Sequence, residues 1–144
     1  MAIPTNWVFW ASLSAGFAAL TAIFAKVGVQ DLHPDLATLI RTGLVLLVLG
    51  PLVILTGQWR NPALISGKTW VFLVLSALAT GASWVCYFRA IKLGDVSRVA
   101  PLDKASVVLV ALFAVGFLGE RLTVREWLGL ALVVAGIVLI AARK

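Results

Sequence analysis

The sequence is poor in the residues that build catalytic centres and disulfide-bonded domains. It has one cysteine, Cys86, and one histidine, His33. A single cysteine cannot form an internal disulfide, and neither residue has ligand neighbours at the spacing of a zinc or haem site. No nucleophile stands in a recognisable relation to a general base. We therefore expect no enzymatic activity, no catalytic residue, no bound metal and no cofactor.

Charged residues are also scarce. They make up 12% of the chain and hydrophobic residues make up 62%, whereas soluble domains average about 25% and about 45–50%. This composition indicates an integral membrane protein. The 12 Lys and Arg exceed the 6 Asp and Glu, but no basic stripe alternates with aromatic residues on a soluble face. We therefore expect contacts with membrane lipids and none with nucleic acid.

Five long apolar segments can each cross a bilayer, which takes about 20 residues per helix. They are predicted at about 7–27, 36–56, 69–91, 99–118 and 124–142. The connecting segments are too short to form a domain, and the first segment is too long for a signal peptide and lacks its basic start. The sequence thus predicts one all-α integral membrane domain over residues 1–144, with its two termini on opposite faces.

The loop charges do not fix an orientation in the membrane. We call face A the side of the N-terminus and face B the side of the C-terminus. Face A has four loop cations and face B has five: Arg60, Lys68, Arg121 and Arg125 against Lys26, Lys92, Arg98, Arg143 and Lys144. Counting the three deeper cations of face B would place that face in the cytoplasm. The near balance of the loops themselves predicts insertion in either direction.

Several spaced motifs lie in the C-terminal part of the chain, from Trp84 to Ile140. An aromatic residue and an alanine precede a glycine, a proline opens the fourth predicted helix, a Gly-Glu pair ends it, and two glycines lie in the fifth. These residues are Tyr87, Ala90, Gly94, Pro101, Gly119, Glu120, Gly129 and Gly136. The stretch resembles the C-terminal half of an EamA domain, the repeat unit of the drug/metabolite transporter superfamily. The five-helix count matches one such repeat.

This resemblance implies a transporter and a particular assembly. Most members of the family carry two repeats in inverted orientation within ten helices, whereas this chain has one. Many transporters bind substrate at the interface of two inverted repeats. We therefore expect an antiparallel homodimer, by analogy with the small multidrug resistance proteins of the same superfamily, with the fourth and fifth helices at the contact. A parallel dimer and a monomer are the alternatives.

Five charged residues lie inside the predicted helices near face B: Lys26, Arg41, Arg89, Asp103 and Lys104. At about 1.5 Å of rise per residue they fall within roughly 8 Å of one level, where an unpaired charge is costly. In the functional interpretation, Arg41, Arg89 and Lys104 hold a substrate anion, or Asp103 centres a gate. In the structural one, Pro101 starts the fourth helix, Asp103 complements its N-terminus, and Lys26, Arg89 and Lys104 extend to headgroups.

Aromatic and mildly polar residues are predicted to line the interior of the bundle. Trp84 and Tyr87 share a helix face, and Trp10 and Ser14 lie in the first helix. They are candidates for a wall against an organic substrate, with ordinary packing as the alternative. The first helix has no acidic residue between Trp7 and Lys26. The small multidrug resistance proteins use a glutamate there, so antiport of lipophilic cations against protons is disfavoured.

Three functions remain open. The preferred one is secondary transport of a small polar or amphipathic metabolite, in particular one with an anionic group, by alternating access in the homodimer. The second is flipping of a phosphate-bearing lipid or a lipid-linked sugar. The third is a membrane scaffold that transports nothing. In each case we expect a multi-pass protein of a cell membrane, and of the prokaryotic inner membrane in particular.

Overall fold

The computed structural model describes residues 6–142, and all regular secondary structure within them is helical. Five helical stretches in this range are long and apolar enough to cross a membrane. The prediction of an all-α membrane protein with five spans is therefore confirmed. The chain divides into two compact units, Met1–Lys92 and Leu93–Lys144, and each is described by itself.

The first unit contains three long helices. They are α1 (Trp7–Gly28), α2 (Pro34–Leu55) and α3 (Gly67–Leu93), with a short 3-10 turn at Pro62–Leu64 before α3. The observed bounds lie within about two residues of the predicted ones, a discrepancy that is usual for helix ends. At 27 residues, α3 is about 40 Å long, so it exceeds the roughly 30 Å of bilayer hydrocarbon.

Each of these helices begins at a residue whose side chain accepts a hydrogen bond from the first turn. Asn6 accepts from the amide of Val8 at 2.9 Å, and Ser66 accepts from that of Thr69 at 3.2 Å. His33 does the same for α2 at 3.4 Å, and the proline that follows it at the first helical position has no amide hydrogen to satisfy. These caps place the helix starts where the loops end.

The buried residues of the first unit lie near one end of its helices, at the end of α1, the start of α2 and the end of α3. They include Ala22, Ala25, Val29, Ala37, Thr38, Phe88 and Ile91. Small residues allow helix backbones to approach closely, which is how helices associate without a hydrophobic driving force in lipid. Most other large apolar side chains are exposed, as lipid-facing residues would be. The packed end therefore positions the polar groups described below.

The second unit contains α4 (Val96–Asp103), α5 (Ser106–Phe113), a π-helical segment (Ala114–Leu118) and α6 (Val124–Ala141). The helix α6 contacts both α4 and α5. Thr123 and Glu126 form a capping box at the start of α6, with the Glu126 carboxylate accepting from the Thr123 amide at 2.6 Å. Gly119 ends the preceding helix with a positive φ of 69°, a conformation that glycine adopts without a steric penalty.

The fourth span differs from its prediction in one important respect. Residues 96–118 form one candidate span, but a tight turn at Lys104 and Ala105 interrupts it. There the amide of Lys104 bonds to the carbonyls of both Ala100 and Pro101, and the amide of Ala105 bonds to that of Leu102. Hydrogen bonds to the third residue back are typical of a tight 3-10 turn, and Pro101 lies three residues before Lys104, inside α4.

Two placements in the structural interpretation of the charges are therefore wrong. Pro101 is not in the first turn of the fourth helix, since α4 begins at Val96 and the proline lies inside it. Asp103 is the last residue of α4 and does not complement its N-terminus. The helix starts earlier than predicted because Asp95, in extended conformation, serves as its N-cap.

Candidate functional site

A cleft of about 390 Å³ lies among the three helices of the first unit. Its volume is within the range of small-molecule sites, about 300–1,000 Å³. Most of the lining is apolar. It consists of Thr21, Phe24, Ala25 and Gly28 from α1, Leu32 from the loop, Ala37, Ile40, Arg41 and Leu44 from α2, and Phe88 from α3. Arg41 is the charged residue of this lining.

Arg41 is held over two aromatic rings. The guanidinium carbon lies 4.3 Å from the centroid of the Trp84 ring and 5.7 Å from that of Phe88. Within the described residues 6–142 its side chain has no hydrogen bond and no ion pair. A ring face attracts the positive charge, but it leaves the five N–H donors of the guanidinium without acceptors.

The contacts with the two rings do not fully compensate the cost of placing the Arg41 charge in a membrane. A cation–π contact contributes about 0.5–2 kcal/mol. Placing an arginine at the centre of a membrane helix costs about 2.5–3.5 kcal/mol on insertion scales, and more by other estimates. The rings therefore offset much of the cost of the charge without satisfying its hydrogen bonds. An anion in the cleft would neutralise the charge of the guanidinium and accept its hydrogen bonds.

A second polar group, which we call the clasp, consists of Lys26, Asp35, Arg89 and Lys92. Arg89 donates two hydrogen bonds to the Asp35 carboxylate, from Nε at 3.0 Å and from Nη2 at 2.7 Å. Lys26 donates to the carbonyl of Ile91 at 2.6 Å, and Lys92 donates to the carbonyl of Leu32. The clasp joins the end of α1, the following loop, the start of α2 and the end of α3.

The clasp lies next to the cleft. Leu32, whose carbonyl accepts from Lys92, is itself part of the cleft lining. Arg89 directly follows Phe88, which contributes a ring to the cleft and is almost fully buried. Opening this end of the first unit would therefore require these polar contacts to break.

The structure brings several of the predicted site residues together. Arg41 and Trp84 are in direct contact, and Lys26 and Arg89 both belong to the clasp. Tyr87 packs its ring against that of Phe88, with 6.5 Å between centroids, but it does not line the cleft. Whether these residues bind substrate stays a prediction.

Two predicted wall residues lie away from the cleft. Trp10 and Ser14 are exposed residues of α1, and Ser14 precedes the nearest lining residue of that helix, Thr21, by about two turns. The ring of Trp10 contacts that of Phe9 edge to face at 5.4 Å. In the first unit these two residues therefore form no part of the cleft.

Asp103 and Lys104 belong to the second unit. Lys104 donates to the Asp103 carboxylate at 3.2 Å, and both side chains are partly exposed. Asp95 and Arg98 form a longer ion pair in the same unit, at 3.9 Å. The expectation that Asp103 and Lys104 meet the cations of the first three helices stays a prediction.

Asp35 is the residue of the site that the sequence analysis missed. The predicted second helix begins one residue after it, which leaves Asp35 in a loop and Asp103 as the acid of the predicted charge cluster. The sequence does carry a signal. An acidic residue directly after a proline at a helix start lies at the same level as Arg89 near the end of the next helix. No group of three or more His, Cys, Asp or Glu among residues 6–142 is placed to hold a metal ion.

Comparisons with known proteins identify the family. The sequence model of the EamA-like transporter family matches residues 5–142. A protein of Sinorhizobium sp named "Uncharacterized transporter in cobO 3'region" is 61% identical over 136 residues, which cover 94% of this chain and 96% of the relative. The "Uncharacterized transporter YxxF" of Bacillus subtilis (strain 168) is 26% identical over 95% of this chain, but over only 43% of its own length.

A third relative has a more specific name. It is the "Probable 4-amino-4-deoxy-L-arabinose-phosphoundecaprenol flippase subunit ArnE" of Yersinia pseudotuberculosis, which is 31% identical over 58% of this chain and 74% of its own length. No solved structure matches the chain. The family match covers nearly the whole sequence, and the expected resemblance is confirmed. The chain belongs to the EamA-like transporter family.

Proposed function

We propose that this protein is a secondary transporter of a small polar or amphipathic metabolite, and that it works by alternating access in an antiparallel homodimer. One observation carries the substrate side of the proposal: Arg41, which has no counter-charge among residues 6–142, lines a cleft that is mostly apolar. Family membership supports the transport side. A charged residue at membrane depth normally faces a substrate or ion pathway.

The dimer is supported by the repeat count. The alignment with the Bacillus relative covers 95% of this chain and 43% of the relative, as one repeat would align with a protein built from two. Inverted repeats supply the two halves that rock around a central substrate site in many transporters. In this proposal the second half is another copy of the chain, inserted in the opposite direction.

The transport assay uses purified protein in liposomes and a defined mixture of small carboxylates, phosphate esters, amines and neutral sugars. We expect the vesicles to accumulate or exchange a subset of these compounds, detected by mass spectrometry of the lumen, whereas protein-free liposomes accumulate none. If no compound moves under any ion gradient, the transporter proposal is contradicted.

Lipid flipping is the second candidate, and the similarity to the ArnE flippase subunit favours it. It is tested in the same vesicles with a fluorescent phospholipid and a membrane-impermeant quencher. Loss of fluorescence from the inner leaflet, without movement of any soluble compound, would replace the transporter proposal with the flippase. A preparation that is inactive in both assays would leave the scaffold.

In this proposal the clasp acts as a gate at one end of the cleft. The Asp35–Arg89 pair is solvent-exposed, and such pairs contribute little to the free energy of unfolding. We therefore expect Asp35→Asn and Arg89→Gln to change the transport rate several-fold while the thermal unfolding midpoint stays almost unchanged. The double variant should behave like either single variant, since all three lack the same contact.

The control for the gate is Arg98→Gln, which removes a cation from the Asp95–Arg98 ion pair of the second unit. Its transport rate should match that of the wild-type protein. Additive effects of Asp35→Asn and Arg89→Gln in the double variant would show that the two residues act separately and would contradict the gate.

A further inference from the structure

We propose that the cleft of the first unit binds a small soluble amphipathic monoanion, with its single negative charge on Arg41 and its apolar body against the apolar side chains of α1 and α2 and the ring of Phe88. The inference rests on the proposed transport function and narrows its substrate class. It excludes dianions, cations and uncharged polar compounds as preferred ligands. It follows from the charges around the cleft, the polarity of its wall and its size.

The charge of the ligand is set by the cations that are free to bind it. Near the cleft, Lys26 and Lys92 donate to main-chain carbonyls, and Arg89 is bound through two hydrogen bonds to Asp35. Arg41 alone among these four lines the cleft, and no acceptor within residues 6–142 bonds to its N–H groups. One free guanidinium matches one carboxylate or phosphodiester, because its fork binds two oxygens of the same group.

The polarity of the wall excludes further charges on the ligand. Apart from Arg41, Thr21 supplies the polar side chain of the lining, and residues such as Phe24, Ile40 and Phe88 are apolar. A second carboxylate or an ammonium group would lose its water here without gaining a partner. A neutral ligand could accept hydrogen bonds from Arg41 but would leave its positive charge without a counter-charge, and charge-assisted hydrogen bonds are about twice as strong as neutral ones. A monoanion with an apolar body is the class that avoids both penalties.

The size of the cleft favours a small soluble compound over a lipid. A volume of about 390 Å³ is in the lower part of the range for small-molecule sites. Ala25 and Gly28 on the α1 side of the cleft have small side chains or none, which leaves room for a flat ring system. The polar clasp next to Leu32 makes this end of the cleft unsuited to a long hydrocarbon tail.

Four naphthalene compounds test the proposal, because they share one apolar body and differ in charge. They are naphthoate, naphthalene dicarboxylate, naphthalene methanol and naphthalene methylammonium. Binding to the purified full chain in phosphatidylcholine nanodiscs is measured by isothermal titration calorimetry, with empty nanodiscs subtracted. We expect naphthoate to bind at least tenfold more tightly than the other three compounds.

Two variants and a control test whether naphthoate binds in the cleft. Arg41→Ala should weaken naphthoate binding at least tenfold and remove its advantage over naphthalene methanol. Leu44→Trp fills the cleft without changing any charge and should weaken naphthoate binding to a similar degree. Arg60→Ala removes an arginine from the exposed loop before α3 and should leave binding unchanged. The far-ultraviolet circular dichroism spectrum verifies that each variant is folded.

Several results would overturn the inference. Equal binding of the dicarboxylate, the alcohol or the ammonium compound would show that charge is not selected. Unchanged naphthoate binding in Arg41→Ala would place the site elsewhere. Competition by phosphatidylglycerol in mixed nanodiscs would assign the cleft to a lipid headgroup in place of a soluble compound.

The outcome is separable from that of the proposed function, since binding is measured without any gradient or net flux. Selective naphthoate binding by a protein that moves nothing in liposomes would refute transport and leave the ligand class standing. Transport of amines or sugars by a protein that does not bind naphthoate would refute the ligand class alone.

Discussion

Replacing Arg41 with alanine is expected to lower the transport rate in proteoliposomes about 30-fold or more, on the scale of about 1.4 kcal/mol per factor of ten. Removing one partner of a desolvated, hydrogen-bonded charge pair costs about 2–5 kcal/mol of binding free energy. Arg41 is the cleft cation that is available for such a pair, since Arg89 is engaged by Asp35. The measurement is initial uptake at a substrate concentration well below saturation.

Matched variants separate the roles of charge and shape at this position. Arg41→Lys keeps the positive charge but loses the planar fork and its stacking on Trp84, so we expect intermediate transport. Arg60→Ala should transport like the wild-type protein. Size-exclusion chromatography in detergent should show the same assembly for all of them. Wild-type rates in Arg41→Ala would exclude this residue from the substrate pathway.

The effect of the same substitution on stability distinguishes a binding residue from a structural one. Alanine removes the two ring contacts of Arg41, but it also removes a charge whose hydrogen bonds are unsatisfied in the empty cleft. These changes oppose each other, so the thermal unfolding midpoint should stay the same or rise. Functional sites commonly trade stability for activity in this way. A midpoint lowered by many degrees would point to a packing role.

The sequence predicts the spans of this protein well because the signal for each is long and nearly uniform. Twenty consecutive apolar residues are unambiguous even when the ends shift, as with α2 starting at Pro34 where residue 36 was predicted. The interior of the fourth span was less predictable. Its break near Lys104 is a local change in backbone hydrogen bonding, and hydropathy carries no information about such a change.

The site was predictable in part, because a charged or bulky polar residue is conspicuous within a long apolar span. Arg41 and Trp84 stand out by their depth, and the structure places them in contact. The pairing of Arg89 with Asp35 was not predicted, because the choice between two acids depends on the rotation of each helix about its axis. An amphipathic pattern would reveal that rotation in a soluble protein. In these almost uniformly apolar helices the pattern is too weak to do so.

A change of loop charge is expected to turn a protein that inserts both ways into one that inserts a single way, and to abolish its transport. Positive residues near span ends hold their loop in the cytoplasm. In the predicted topology the loops carry four cations on face A and five on face B, a near balance that predicts insertion in either direction. The first variant keeps its positive loop charge on face B. It neutralises three cations of face A with Arg60→Gln, Lys68→Gln and Arg125→Gln.

The complementary variant has its excess of positive loop charge on face A. It adds Gln58→Lys and Leu64→Lys to an exposed loop and neutralises face B with Arg98→Gln, Arg143→Gln and Lys144→Gln. Those of the positions that lie within residues 6–142 neither line the cleft nor belong to the clasp. Reporters fused at Lys144 should give signal from both sides of the membrane for the wild-type protein and from one side, opposite to each other, for the two variants.

Co-expression of the two variants provides the decisive comparison. Each alone can form only parallel pairs, so a transporter that needs two inverted copies should be inactive. Together they supply one copy in each orientation, and we expect uptake in cells to return to a level near that of the wild-type protein. Full activity of either variant by itself would show that a parallel dimer or a single chain transports. The inverted assembly would then be refuted, while the cleft and its arginine would keep their assigned role.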